Sequence, residues 1–388
     1  MRRILPVFII LQVIICTLSL NAFEGGGVFS TFLNFDIASP QKQSNPTYFS
    51  TSNRLALWMK QNIDNEGFYN FSIQGSAYFK LRKLIVPRGT PLEIKPCLDV
   101  DSCKFSFFFP LKQKGSLMLD IGRRGVVDST GIIVSQPFDG AFLKYKTPRL
   151  EILQALAFTT LLNANTVALN EPLKPTSNPI YSLPKSYASL MTFIHVPISK
   201  TSYSLDFDAL GFFETKKLAK LKFYLTSALK GPIIRRLFFS LSASGSFIRN
   251  ASLWTQGLQT TGALAYYFQK YSAKLALNIQ YATADRYAFQ TFTMRNISSQ
   301  FFSPYTNVWS TGIRYSIKPI PTLYLQAVSN VICKGKVQNG TLYRGFEWMT
   351  SANYTLKRDI NFEASLGQFI KRDASMQTFF TLKGMIAF

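Results

Sequence analysis

The chain's single histidine, His195, stands in Thr192-Phe-Ile-His-Val-Pro197, an apolar run with no acidic neighbour in sequence. Serine–histidine catalysis would have to use it, yet no Gly-x-Ser-x-Gly elbow occurs to present a nucleophile. A lone histidine in such a strand reads as structural. Zinc needs more histidine or cysteine ligands than are available. Gly-rich phosphate loops are absent, and Gly25-Gly26-Gly27 reads as a flexible start. The residues therefore point to no enzyme, no metal centre and no cofactor.

Cysteine is the next candidate. Cys97 and Cys103 bound the polar, turn-like stretch Pro96-Cys-Leu-Asp-Val-Asp-Ser-Cys103. In an oxidising compartment they can close a small loop disulfide. Cys333 has no evident partner and reads as a buried or lumen-facing thiol.

Charge is the strongest chemical signal. The chain carries 43 Lys and Arg against 20 Asp and Glu. Arg123, Arg124, Lys144, Lys146, Lys220, Lys222 and Lys274 sit in or beside strand-like runs. If those runs enclose water, a basic wall would gather anions and repel cations by focusing its field between low-dielectric walls. The same surplus can reflect base composition alone, or basic loops that meet anionic lipid heads. Gly122-Arg123-Arg124 with Asp128 can form a basic–acidic constriction, but a strand end with interface arginines beside a turn is the favoured reading. Phe138-Asp139-Gly140 reads as a hairpin turn, from the preference of Asp-Gly for such positions.

The elements that must carry these groups begin with an export leader. Met1-Arg2-Arg3, the apolar run Ile4 to Leu20 and Asn21-Ala22 have the layout of a signal peptide, with cleavage after Ala22. Loss of Arg2 and Arg3 then leaves 41 cations against 20 anions. Export also removes the opportunity for nucleic-acid binding that the charge would otherwise suggest. No later window approaches the ~20 continuous apolar residues of a membrane-spanning helix.

Instead the apolar residues alternate. Tyr271, Ala273, Leu275, Leu277, Ile279 and Tyr281 share one face; Ser272, Lys274, Ala276, Asn278 and Gln280 share the other. Phe346 to Leu356, Ile360 to Leu366 and Tyr69 to Leu81 repeat the pattern. Such runs exceed the ~5–6 residues of an ordinary strand and match the ~9–11 of a tilted strand crossing lipid. Aromatic residues at the ends of an aliphatic stripe suit the two membrane interfaces. Leu150 to Leu162 lacks clear alternation and is compatible with a short helix. Gln41 to Pro46, Pro87 to Asp101, Glu171 to Pro184 and Arg286 to Pro304 read as long connectors, and Lys357-Arg358-Asp359 and Arg372-Asp373-Ala374 as short turns. Short turns on one side and long loops on the other are the asymmetry of a membrane barrel.

The chain ends Thr381-Leu-Lys-Gly-Met-Ile-Ala-Phe388, in which Phe388, Ile386, Leu382 and Phe380 alternate on one face. This terminus resembles the closing strand of bacterial outer-membrane β-barrels, whose assembly machinery reads such an aromatic end. Together with the alternating runs it resembles the outer-membrane porin class over most of residues 23–388. Gly122-Arg123-Arg124 with Asp128, Gln136-Pro-Phe-Asp-Gly140, Ala282-Thr-Ala-Asp285 and Phe302-Ser-Pro304 are similar to alginate-export and carbohydrate-porin barrels and to spirochaete outer-membrane proteins.

The fold expected is all-β: a transmembrane antiparallel up-and-down barrel of about sixteen strands, with fourteen to eighteen allowed by the count. The function expected is a passive pore for small hydrophilic solutes, monomeric or homotrimeric, set in outer-membrane lipid. The rival readings are a barrel whose long loops act as an adhesin or scaffold, and a soluble exported β-protein.

Overall fold

The computed structural model describes residues 23–38, 47–86, 92–112, 114–159, 161, 169–170, 186–198, 202–215, 220–250, 253–294, 305–338, 341–373 and 375–388. The proposed leader, Gln41 to Pro46 and Glu171 to Pro184 lie outside them.

Among the described residues eighteen strands follow one another. The first six are β1 (Phe23–Ala38), β2 (Thr47–Asn62), β3 (Tyr69–Val86), β4 (Glu93–Leu111), β5 (Gly115–Val127) and β6 (Ser135–Lys146). Next come β7 (Glu151–Phe158), β8 (Tyr187–Ile198), β9 (Tyr203–Glu214), β10 (Lys220–Ile234), β11 (Leu237–Asn250) and β12 (Leu253–Tyr267). The last are β13 (Lys274–Ala282), β14 (Val308–Ile320), β15 (Leu323–Gln338), β16 (Thr341–Lys357), β17 (Ile360–Lys371) and β18 (Met376–Ala387). Each pairs antiparallel with its neighbours in sequence, and β18 returns to β1. The result is a closed up-and-down barrel.

Closure is tight at the terminus. Ile386 opposes Phe29 and Phe380 opposes Phe35. The Gly27 and Phe388 N–H groups donate to each other's carbonyls, at 2.7 and 2.9 Å. A sheet in hydrocarbon leaves no backbone group unpaired, so this last pairing removes the edge that lipid could not satisfy.

The alternation sets inside and outside. On β13, Leu275, Leu277, Ile279 and Tyr281 are exposed on the outer surface while Ala276 and Ala282 are buried. Phe380, Leu382, Ile386 and Phe388 likewise face outward. The start of β1 and the end of β18 lie at one rim, where connectors such as Arg235-Arg236, Pro321-Thr322 and Arg358-Asp359 are minimal. The chain passes from β7 to β8 and from β13 to β14 at the other rim.

The eighteen strands stand at the upper end of the fourteen to eighteen expected. Several other expectations are corrected. Residues 93–101, expected in a connector, begin β4 despite Pro96. Over 93–102 β4 pairs only with β3, because β5 reaches no further than Cys103, so a missing donor costs little on this one-sided segment. Phe138-Asp139-Gly140 lies inside β6 and is no turn, and Leu150 to Leu162 contains strand β7 rather than a helix. Tyr271 occupies a short 3-10 turn with positive φ, and β13 starts only at Lys274. The disulfide between Cys97 and Cys103 does not form. Both belong to β4, where six residues at ~3.3 Å span about 20 Å; a bridge needs Cα atoms within about 7 Å.

Candidate pore and its inward plug

Eighteen strands spaced ~4.8 Å and tilted ~40° enclose a cylinder roughly 35 Å across, too wide for wall side chains to fill. Connectors from the long-loop rim turn inward to occupy part of it. Ile133 and Val134 after β5, Leu169 after β7, and Phe289 and Phe292 after β13 are fully buried. They pack on inward side chains of the wall: Phe138 on β6, Tyr187 on β8, Phe212 on β9 and Tyr224 on β10.

Backbone bonds knit the three connectors together. The Phe292 and Thr293 N–H groups donate to the Ile133 carbonyl at 3.1 and 2.9 Å, and the Asn170 N–H donates to the Phe292 carbonyl at 2.9 Å. Leu169 and Thr293 form an isolated bridge. Phe292 stacks on Phe212 with centroids 3.7 Å apart and lies edge-on to Tyr187 at 5.4 Å. The Lys222 ammonium sits over the Phe292 and Tyr187 rings at 5.3 and 5.5 Å. These contacts make an apolar plug against β6–β10.

A polar chain moors the first plug segment. The Asp208 carboxylate accepts bonds from the Ser129 N–H (2.8 Å) and hydroxyl (2.6 Å). The Lys230 ammonium donates to the Ser129 carbonyl at 3.1 Å and pairs with Asp206 at 3.0 Å. The other Asp206 oxygen meets His195 Nδ1 at 2.5 Å. Asp128 shapes the segment from within, accepting the Val134 N–H at 2.8 Å and the Thr130 N–H at 3.0 Å.

The opposite wall remains open to solvent and has a different character. Arg82 lies over Tyr48 at 4.5 Å, and Arg54 and Lys80 lie over Tyr78 at 5.2 and 5.6 Å. Acids on this side are engaged by neighbours. Asp101 takes Arg54 at 2.7 Å together with Ser76 and Gln74. Both oxygens of Asp36 accept from Gln377, at 2.8 and 2.7 Å, and Glu347 accepts from Asn330 at 3.3 Å. The acids are recessed in these networks while Lys80 and Arg82 stay exposed.

The sequence-predicted cations are dispersed. Arg123 is buried, with Asp99 at 3.8 Å and Asp139 at 3.4 Å, and is a wall contact rather than a pore-lining charge. Arg124 pairs with Asp120 at 2.7 Å, and Asp120 also takes Lys104 at 3.1 Å. Asp128 shapes the plug by accepting from the Thr130 and Val134 N–H groups. Lys144 and Lys146 share Glu151, at 2.6 and 3.8 Å. Lys220 is half-buried at the long-loop end of β10, two residues before the buried Lys222. Lys274 lies over Tyr267 at 5.1 Å near the terminal rim.

Sequence reading missed Arg54, Lys80, Arg82, Asp206 and Lys230. A signal existed for two of them: the polar face Asn70, Ser72, Gln74 and Ser76 continues in step to Tyr78, Lys80 and Arg82. The His195–Asp206 pair had none, because the partners meet only through the β8–β9 register.

No family model matches the chain, and no curated protein matches it. Solved structures do. Pseudomonas aeruginosa OccK7 (OpdD) superposes with a TM-score of 0.66 at 12% identity, covering 95% of this chain and 99% of that one. Pseudomonas aeruginosa OpdQ gives 0.61 at 11% identity over 95% and 99%. Pseudomonas aeruginosa OpdK with vanillate gives 0.61 at 10% identity over 94% and 99%. The chain has the fold of these outer-membrane porins.

Proposed function

We propose that this chain is an outer-membrane channel that passes small hydrophilic solutes and prefers anions. One observation carries the preference: on the open wall Lys80 and Arg82 face solvent, while Asp36, Asp101 and Glu347 are held in hydrogen bonds or ion pairs. The field a solute meets is then positive, and the low-dielectric wall concentrates it. Vanillate, seen with the similarly folded OpdK, is a small organic anion of the class such a wall would admit.

Residues 1–22 serve export, lipid surrounds the outward belt, and the strand ending at Phe388 is presented to the assembly machinery. The function is passage, with no enzyme chemistry. Single-channel recording of the purified protein tests this reading. Stepwise conductance and a reversal potential of anion sign under a salt gradient support it. Cation preference removes the selectivity, and a silent, folded barrel returns the protein to the scaffold reading.

A further inference from the structure

The plug does not divide the lumen evenly. Where the connectors pack, inward side chains of β6–β10 are sealed: Phe138, Tyr187, Phe212 and Tyr224 are 0% exposed, whereas nearer the terminal rim His195 and Lys230 keep 46% and 41%. Across the barrel Ile332, Phe369 and Phe379 are buried as well, but charged and polar side chains beside them stay wet. The Arg54, Glu363 and Lys383 side chains on β2, β17 and β18 keep 36–44% of their surface. Ser72 on β3 and Ser365 on β17 are half-exposed, whereas Ser189 on β8 and Thr226 on β10, at inward positions of the sealed wall, are buried.

We infer that solutes cross off-axis, through a crescent bounded by β15–β18 and β1–β4 on one side and by the apolar plug on the other. The inference rests on the channel reading and specifies its route. Its physical ground is the cost of wetting. A packed aromatic layer about 10 Å thick, the depth of two facing side-chain layers, admits no water file. The facing wall is lined by serine, asparagine, tyrosine and paired charges that replace a solute's hydration. The charged rows of this crescent, Arg82–Tyr48 and Arg54–Tyr78–Lys80, are then the surface a permeating solute touches.

Cysteine accessibility tests the route. In a barrel with Cys97, Cys103 and Cys333 replaced by serine, single cysteines are placed by S72C and S365C on the crescent and by S189C and T226C on the sealed wall. A cationic methanethiosulfonate reagent is applied to open channels, and labelling is read by mass in parallel. Heat-modifiable gel migration verifies that each variant is folded. Labelling at Ser72→Cys and Ser365→Cys should lower unitary conductance by roughly a third, with Ser189→Cys and Thr226→Cys unlabelled and unchanged. Conducting channels in which the sealed-wall cysteines label and block, or the crescent cysteines do not, overturn the off-axis route while leaving the channel reading intact. Folded barrels that never conduct overturn both.

Discussion

Phe292, from the connector after β13, lies parallel to Phe212 of β9, with centroids 3.7 Å apart and planes 10° apart. Eighty residues separate them in sequence, and their stack joins plug to wall. Replacing Phe292 with Ala opens a cavity under Phe138 and Tyr187, which should cost about 3 kcal/mol or more. It should also widen the passage. Urea unfolding in detergent and single-channel recording are the readouts; unchanged stability and conductance would remove the plug from the account.

The mooring of the β5–β6 connector gives a second expectation. Lys230→Met deletes both the ion pair to Asp206 and the bond to the Ser129 carbonyl. Because the ammonium is partly exposed, the stability change should be only about 1 kcal/mol. Flickering of the open channel should rise, since residues 128–134 lose one of their holds. A recording as quiet as the parent's would show that Asp208 and the aromatic stack suffice.

Selectivity should follow the crescent cations. Neutralising Arg54, Lys80 and Arg82 together, each to Gln, should bring the anion-to-cation permeability ratio toward one. The companion change at Lys222→Gln should leave it unaltered, because that ammonium is sealed among aromatic rings. Reversal potentials distinguish the two, and equal effects would contradict the assignment.

Gly122 should resist substitution. Its φ of +127° is open to glycine, and a Cβ there would fall 2.2 Å from the Cys103 carbonyl oxygen. Gly122→Ala should cost at least about 1–3 kcal/mol from backbone strain and disturb Arg123 next to it. Denaturant midpoints measure this; a neutral outcome would mean that β5 can straighten without loss.

The terminal rim carries a pH signature. Desolvation pushes the Asp64 acid upward, but backbone N–H groups together outweigh it, led by those of Tyr69 and Phe68 at 2.8 and 3.0 Å, and hold its pKa below the ordinary 3.8. A carboxylate depressed in the folded state adds stability above its ordinary pKa, and that stability is lost as pH falls through the folded value. The Phe68 and Tyr69 amide resonances should therefore titrate together below pH 3.8, and this step should vanish in Asp64→Asn. A shared midpoint at or above the ordinary value would refute the assignment.

Much of the architecture is local in origin. Alternation at Leu275, Leu277, Ile279 and Tyr281 expresses a two-residue period that any extended segment must obey, so the lipid-facing stripe can be read without knowing its neighbours. The same holds for the terminal face of Phe380, Leu382, Ile386 and Phe388. Where proline or Asp-Gly interrupts a strand, local rules misled: Pro96 and Asp139-Gly140 read as turns, yet both lie in strands whose ladders hold them.

The pore's chemistry is of another kind. His195 finds Asp206, Asp208 finds Ser129, and Phe212 finds Phe292 only after closure of the sheet and infolding of the connectors. Their meeting depends on register and on chain returning from tens of residues away, which no periodicity encodes. Which lysines are wet was equally illegible: Lys222 is entombed and Lys80 exposed, although both stand on the polar face of an alternating run. A strand's own residues fix which way each side chain points, but what it then faces, water or plug, is set by the segments that share the lumen.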